Sequence, residues 1–243
     1  MIINDQSPFR RLPPHLDRKQ TLFLDGIRYS IEMADLASSR LSETLFEISF
    51  NQEDSESKHL NTVSALQDAW SIVDSIHRLR GLLSQAPGFK QKAPGMRLFL
   101  QRTADIGHLR NSVQHLNNEI KSLVNKNLPV WGVLSWFAIR DPKQRSGLAC
   151  SLIAGTLFES KNNPIVNPLG KMMHGLVDLI TLTANERCSC LSDVMRQVEV
   201  MIKDMEKQLE QQFTKLPQAG SDVLICLEIE FGRNESPIQK DSV

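Results

Sequence analysis

Arg110, Asn111 and His115 are the residues of this chain whose types and spacing are best suited to chemistry. An arginine guanidinium is planar and permanently charged, and it can bind two oxygens of one phosphate. A histidine imidazole gains and loses its proton near neutral pH, so it can act as a general acid or base. Together, these side chains supply what phosphodiester cleavage without a metal ion requires.

A helix is predicted around these residues because apolar side chains recur there at three- and four-residue steps. The members of this apolar stripe are Ile106, Leu109, Val113, Leu116, Ile120 and Leu123. At about 100° per residue, the opposite side of the helix is polar and carries little charge. Its members are His108, Asn111, His115 and Asn118, with Arg110 and Gln114 at the flank. This polar face is predicted to contact a partner, because a face that only meets water is usually rich in Lys and Glu.

On one continuous helix, Arg110 and His115 are separated by a rotation of about 140°, so neither side chain points at the other. A working site would therefore combine residues of two copies. We expect a homodimer formed through helix three, the helix that carries both residues. Two further Arg–His pairs of similar spacing occur in the sequence, Arg10/His15 and Arg102/His108. Neither has Asn, Asp or His directly after the arginine, so neither is favoured over Arg110/His115 as the site.

A second group of unusual side chains lies on the preceding helix, one to two turns apart. Its members are Trp70, Asp74, His77, Arg78 and Arg80. Asp74 and His77 are spaced i and i+3, so they can hydrogen-bond on one helix face. In a functional interpretation Asp74 orients His77 or Arg110, and Arg78 or Arg80 contacts phosphate. In the alternative, Trp70 belongs to the core and the charged side chains form a solvated edge.

Residues 68–80, 109–116 and 131–136 resemble the HEPN (higher eukaryotes and prokaryotes nucleotide-binding) domain family, over about residues 60–136. The motif that carries the resemblance is Arg-x4-His with Asn after the arginine. The resemblance implies a helical bundle that dimerises and that cleaves RNA without a metal ion in many members, as a toxin or defence component. It implies Arg110 as the phosphate-binding residue and His115 as the general acid or base, with Asn111 beside them. In the purely structural alternative, Arg110 pairs with a carboxylate such as Asp74 or Asp105, and His115 is an ordinary interface histidine.

Two other functions remain open on the same residues. The first is a non-catalytic HEPN-like scaffold whose polar face and predicted sheet bind another protein. The second is a site for a nucleotide or small molecule between helices two and three, with Arg110 and His115 as its ligands. If Arg110 and His115 of two copies converge on one solvent-accessible cleft, catalysis is favoured over both the scaffold and the small-molecule site.

Three long helices are predicted in the first half of the chain, after an irregular arm at residues 1–19 that contains three prolines. Helical periodicity places them at residues 20–49, 59–86 and 96–127. Pro-Gly pairs and Pro129 supply the helix ends.

The periodicity beyond residue 129 becomes that of strands. Residues 130–184 are predicted to form an inserted antiparallel sheet with strands at 133–139, 148–154 and 176–183. A fourth helix at 189–214, a final strand at 222–231 and a polar tail at 232–243 complete the expectation. The predicted fold class is predominantly α (α+β), a single domain over 1–243 in which a small sheet interrupts a four-long-helix HEPN-like bundle between helices three and four.

The charge and cysteine content constrain the partners of this chain. Lys plus Arg and Asp plus Glu are balanced at 28 each, so any contact with nucleic acid must be local. The four cysteines lack zinc-ligand spacing, and we expect buried free thiols, no metal and no cofactor. P-loop, dinucleotide-binding and Gly-x-Ser-x-Gly patterns are absent from the sequence. With no apolar run of membrane-spanning or secretory length, the protein is expected to be cytoplasmic and to have no membrane partner.

Overall fold

The computed structural model of the protein combines helices with a small sheet. It describes residues 1–51, 55–87, 94–141, 143, 146–155, 172–213, 215–218 and 222–228. Within these ranges there are six α-helices and one antiparallel four-stranded sheet, so the fold class is α+β. The predicted polar tail, residues 232–243, lies outside the described residues.

Two long helices, α1 (Arg18–Phe50) and α2 (Ser55–Gln85), pack against each other along their length. Their apolar residues recur with helical period and meet in the core, as expected. The fully buried ones include Ile27, Ile31, Leu41, Leu45, Ile72, Ile76, Leu79 and Leu83. The predictions of helices at residues 20–49 and 59–86 are confirmed, although α2 begins four residues earlier than expected. The N-terminal arm is also packed, because Ile3 and Phe9 are buried against the same core.

The first turn of α1 is capped by Asp17, whose carboxylate accepts hydrogen bonds from the backbone N–H groups of Lys19 and Gln20. We expect Asp17→Ala to lower the free energy of unfolding by about 1 kcal/mol, because two helix donors lose their acceptor. Urea denaturation followed by circular dichroism would measure this loss. Asp17→Asn retains a capping oxygen and should lie within a few tenths of a kcal/mol of the wild type; an equal loss in both variants would contradict the capping role.

The prediction of one long third helix at residues 96–127 is wrong. This stretch forms three short helices, α3 (Pro94–Arg102), α4 (Ala104–Gln114) and α5 (Leu116–Lys126), which are separated at Thr103 and His115. The expected four long helices are therefore three long and three short ones. As predicted, the segment ends before Pro129, and Asn127 adopts the left-handed conformation that commonly follows a helix.

Side chains from α2 and from the sheet explain the two breaks. Arg80 Nη1 donates to the carbonyl oxygen of Leu100 at 2.5 Å and also to the hydroxyl of Thr103, which satisfies the last carbonyls of α3 outside the helix. Beyond His115, α5 is tied to the turn between the third and fourth strands. Its Glu119 accepts a hydrogen bond from Asn185 at 3.0 Å. Apolar periodicity does not report such contacts.

The sheet has the strand order β2-β1-β3-β4, with all neighbours antiparallel. Its strands are β1 (Val133–Ala138), β2 (Leu148–Ile153), β3 (Val177–Ala184) and β4 (Arg187–Cys190). The three strands expected within residues 130–184 are confirmed, including the ambiguous stretch at 176–183. The fourth strand was not predicted. Gly132 has φ +80°, and a Cβ atom there would collide with the carbonyl of Thr183, so only glycine fits before β1.

The last long helix, α6 (Leu191–Gln212), confirms the expected helix at residues 189–214. Its buried stripe of Val194, Val198, Ile202 and Met205 closes the core against the sheet and the other long helices. The expected final strand at 222–231 is wrong over its described part, because residues 222–228 are irregular and exposed. Residues 229–231 lie outside the described ranges.

Candidate functional site

Asp74 on α2 joins the two predicted groups of site residues. Its Oδ1 accepts a hydrogen bond from Arg110 Nε of α4 at 3.0 Å, and its Oδ2 forms an ion pair with Arg78 one turn further along α2. Arg110 Nη1 donates to Gln114 Oε1 at 2.7 Å. The pairing of Asp74 with Arg110, which the functional and the purely structural interpretation both expect, is therefore present, and the carboxylate contacts two guanidinium groups.

His77 is not held by Asp74, contrary to the alternative role proposed for that carboxylate. Its Nδ1 is buried and has no hydrogen-bond partner among the described residues. Burial, followed by the positive charges of Arg110 and Arg80, lowers the pKa of His77, while Asp74 acts in the opposite direction. The lowered pKa favours the neutral form of the imidazole.

Arg80 and Arg78 differ in what they contact. The Arg80 guanidinium is directed to the corner between α3 and α4, where it bonds Leu100 and Thr103. The Arg78 side chain is more than half exposed at the surface of α2. Of the two arginines expected to contact phosphate, only Arg78 is thus placed to meet a ligand.

The polar face of α4 and α5 is exposed, as predicted. Its exposed members are His108, Asn111, His115 and Asn118. The apolar stripe opposite is buried at Ile106, Leu109 and Leu123, but Ile120 is 40% exposed and the neighbouring Val124 is 70% exposed. The change of direction at His115 removes part of the stripe from the core.

Arg110 and His115 do not share one helix, so the expected rotation of about 140° between them does not apply. Arg110 lies in the second turn of α4, and His115 is the residue between α4 and α5, with φ −105° and ψ 24°. The backbone N–H of His115 still donates to the carbonyl of Asn111 at 3.2 Å. The corner therefore places the exposed imidazole immediately after the turn that carries Arg110 and Asn111.

The disfavoured Arg–His pairs belong to other contacts. Arg10 Nη2 bonds Glu32 at 2.6 Å and its Nη1 bonds Asp5 at 3.2 Å, while Arg102 Nη1 donates to Gln197 of α6 at 2.9 Å. Neither of these two arginines forms one of its hydrogen bonds with a residue of the Asp74 cluster. The residue that follows the arginine therefore distinguishes Arg110 from Arg10 and Arg102. Arg10 bonds the N-terminal arm to the fold, and Arg102 bonds α6 to it.

Trp70 packs against the edge of the core, where the alternative interpretation placed it, but it is only partly buried. It is half-buried, and its indole Nε1 donates to the backbone carbonyl of Trp131 at 3.2 Å, which ties α2 to the start of β1. Trp131 itself is 45% exposed. An aromatic edge therefore lies on α2 one turn before Asp74.

Sequence reasoning missed a buried ion pair between the sheet and α6. Asp178 of β3 is almost fully buried and accepts hydrogen bonds from Arg196 Nη1 at 2.9 Å and from the backbone N–H groups of Leu179 and His174. The rest of this strand is uncharged. A carboxylate within a predicted strand was therefore the only sequence signal for this ion pair.

The cysteines are less buried than expected. Cys188 and Cys226 are exposed, whereas Cys150 and Cys190 are partly buried, and burial raises the pKa of both of these thiols. All four are unpaired. Among the described residues no three His, Cys, Asp or Glu side chains come together as a metal site. Likewise, no described helix has the length and apolar character that crossing a membrane requires.

Comparison of the chain with protein-family models, with curated proteins and with solved structures gave no match. The likeness to the HEPN family therefore rests on the residues of this chain alone, namely the Arg110, Asn111 and His115 motif and the flanking segments.

Proposed function

We propose that this protein is a HEPN-like ribonuclease that works without a metal ion, with Arg110 binding the scissile phosphate and His115 transferring the proton. The observation that supports the proposal is that Asn111 and His115 remain exposed next to an arginine whose guanidinium is held in place. Asp74 holds the Arg110 guanidinium by its Nε edge at 3.0 Å, beside the corner where Asn111 and His115 are exposed. Because Arg78 shares the same carboxylate, the two cations and one anion leave a net positive charge for a phosphate.

The proposed reaction needs only these groups. The ribose 2′-oxygen attacks phosphorus as an imidazole removes its proton, and the 5′-oxygen of the next nucleotide leaves with a proton from an imidazole. The products are a 2′,3′-cyclic phosphate and a 5′-hydroxyl, with no net change in protons. The guanidinium stabilises the charge that develops on the phosphate oxygens. The Asn111 amide supplies a neutral donor and acceptor next to the same phosphate.

The proposal includes a homodimer formed through α4 and α5. Two apolar side chains of α5, Ile120 and Val124, are exposed and would be covered by a second copy. Such pairing brings two Arg110 and two His115 side chains to one surface, where each proton transfer has its own imidazole. A reducing compartment, the cytoplasm, fits the four unpaired cysteines.

The test of the proposal is cleavage of a labelled single-stranded RNA by the purified wild-type protein in the presence of EDTA. We expect cleavage to persist, to yield 2′,3′-cyclic phosphate ends, and to change in rate between about pH 5 and 8, where histidines titrate. A rate that is flat across that range would contradict a histidine acid or base. Absence of cleavage by a confirmed homodimer would contradict the ribonuclease itself.

A non-catalytic protein-binding module is the second candidate, and one observation favours it. The apolar side chains Ile120, Val124 and Trp131 are exposed, and exposed apolar side chains beside polar ones are typical of protein interfaces. RNA that binds without being cleaved would leave nucleotide binding as the function. A protein that neither binds nor cleaves RNA would favour this module.

A further inference from the structure

The segment Val223–Glu228 has the composition of a strand but no strand partner. Its β-branched and apolar residues favour extended structure. None of its backbone groups forms a hydrogen bond with another described residue. The exposed fractions of its large apolar side chains are 83% for Val223, 86% for Leu224, 78% for Ile225 and 82% for Leu227. Four such side chains in one short segment are costly to leave in water, so a cover is expected.

The start of this segment is fixed on α1. The carboxylate of Asp222 accepts a hydrogen bond from Arg28 Nη2 at 3.3 Å and another from the hydroxyl of Tyr29. The Arg28 side chain is nine-tenths buried, and its planar group also lies 4.1 Å from the centre of the Tyr29 ring. Residue 222 is thus held near the N-terminal third of α1.

Among the described residues, neither outer strand of the sheet has a strand partner on its outer side. β2 and β4 are the two outer strands, and α4 packs beside β4. No described residue pairs with the outer edge of β2, and its first residue, Leu148, is 42% exposed. An open edge of this kind accepts a further strand through main-chain hydrogen bonds. β2 has six residues, which the length of Val223–Glu228 matches.

The two features lie at opposite ends of α1. The thiol of Cys150 in β2 is 3.7 Å from the hydroxyl of Ser49, near the C-terminal end of the helix. The rise of 1.5 Å per residue separates Tyr29 from Ser49 by about 30 Å. An extended segment of six residues reaches at most about 20 Å. While Asp222 stays on α1, Val223–Glu228 cannot pair with β2 of its own chain.

We propose that Val223–Glu228 of one copy adds as a fifth strand to the outer edge of β2 in a second copy, and that the exchange is reciprocal. When two molecules lie side by side with their α1 helices antiparallel, each segment comes beside the partner's sheet. Two equal contacts related by a two-fold axis close the assembly. Alternate side chains of the added strand then cover the exposed apolar residues.

This interface is separate from the one proposed through α4 and α5, which lies on the β4 side of the sheet. The two can therefore fail independently. Loss of the strand exchange leaves the Arg110 site in place, and loss of RNA cleavage leaves the strand exchange in place.

The test is hydrogen exchange of the full-length protein, read by mass spectrometry on the peptide that contains β2. Ile225→Pro removes a backbone N–H and fixes φ, so it blocks strand addition. Because Ile225 makes no backbone hydrogen bond within the described chain, the fold of the single molecule should be unaffected. We expect β2 amides to exchange about tenfold faster in this variant and light scattering to give half the wild-type mass.

Ile225→Val is the matched control, since it retains the N–H group and the β-branched side chain, and it should behave as the wild type. In the wild type, the protection of β2 should fall on dilution, as an intermolecular contact requires. Equal exchange in Ile225→Pro and wild type would overturn the proposal. Protection that does not depend on concentration would overturn it as well, because the cover would then belong to the same chain. Protection that appears only when another protein is added would assign the edge to that protein instead.

Discussion

Arg110→Ala is expected to reduce RNA cleavage by about 10²- to 10⁴-fold, since the guanidinium contacts the phosphate where charge develops. His115→Ala should reduce it to a similar extent, because the proton exchanger is lost. Single-turnover cleavage of a labelled RNA at saturating protein would measure both. Neither change is expected to unfold the protein, because Arg78 remains as a partner for Asp74 when Arg110 is removed and His115 is exposed.

The chain offers matched controls for both substitutions. Arg102→Ala removes an arginine that bonds only Gln197 among the described residues, and His108→Ala removes another exposed histidine of the polar face. Both should retain wild-type cleavage. Arg110→Lys keeps the charge but loses the planar fork, so it should recover only part of the activity. A double variant of Arg110 and His115 that cleaves as well as the wild type would make the site non-catalytic and favour the protein-binding module.

The second large effect concerns the buried carboxylate of the sheet. We expect Asp178→Ala to lower the free energy of unfolding by about 3–5 kcal/mol, because Arg196 loses its buried partner and two backbone N–H groups lose their acceptor. One of these groups belongs to Leu179, which has φ +55°, and the Asp178 carboxylate bonds its N–H at 2.6 Å. The carboxylate thereby stabilises a backbone conformation that leucine rarely adopts. Urea denaturation at pH 7 would measure the loss.

Asp193→Ala is the control, since Asp193 bonds the same arginine at 2.7 Å but its side chain is half exposed. Its removal should cost less than about 1 kcal/mol. A loss in Asp178→Ala no larger than in Asp193→Ala would show that burial of the carboxylate adds nothing.

The same carboxylate makes stability depend on pH. Burial acts to raise the pKa of Asp178, but the hydrogen bonds from Arg196, His174 and Leu179 outweigh it, and the pKa in the folded protein lies below its usual value. A depressed pKa contributes stability that is present above the unfolded pKa and is lost as the pH falls through the folded one. Wild type should therefore lose stability in acid, below about pH 4, and Asp178→Ala should lose less over the same range.

Secondary structure was predictable where one signal dominated. The apolar period of α1, α2 and α6 continues without interruption, and all three helices form where that period indicates. Residues 176–183 allowed either a helix or a strand, and their β-branched alternation gave the correct answer. The prediction of one long third helix failed because residues distant in sequence contact it near both breaks, Arg80 at Thr103 and Asn185 beyond His115. The prediction of the final strand failed because a segment with the composition of a strand forms one only when the edge of another strand is within its reach.

The site was predictable in its parts but not in its connections. The sequence placed Asp74 near Arg110, and the 3.0 Å bond between them agrees. It could not separate Arg78, which faces solvent, from Arg80, which holds a helix corner. Nor could it indicate that His77 would be left without a hydrogen-bond partner among the described residues, since this depends on how α2 and α4 pack.

The contacts of α4 with α2 have a mechanical consequence. Two side chains of α2 hold α4, Arg80 at Thr103 directly before the helix and Asp74 at Arg110 in its middle. Because α4 is bonded to α2 at two places, we expect α4 neither to slide nor to rotate against α2. Arg110 should therefore move together with α2. α5 begins at His115 with no side-chain cap and meets α4 at a single residue. Because α5 is bonded instead to the turn between β3 and β4, a shift of the sheet relative to α2 would change the distance between His115 and Arg110.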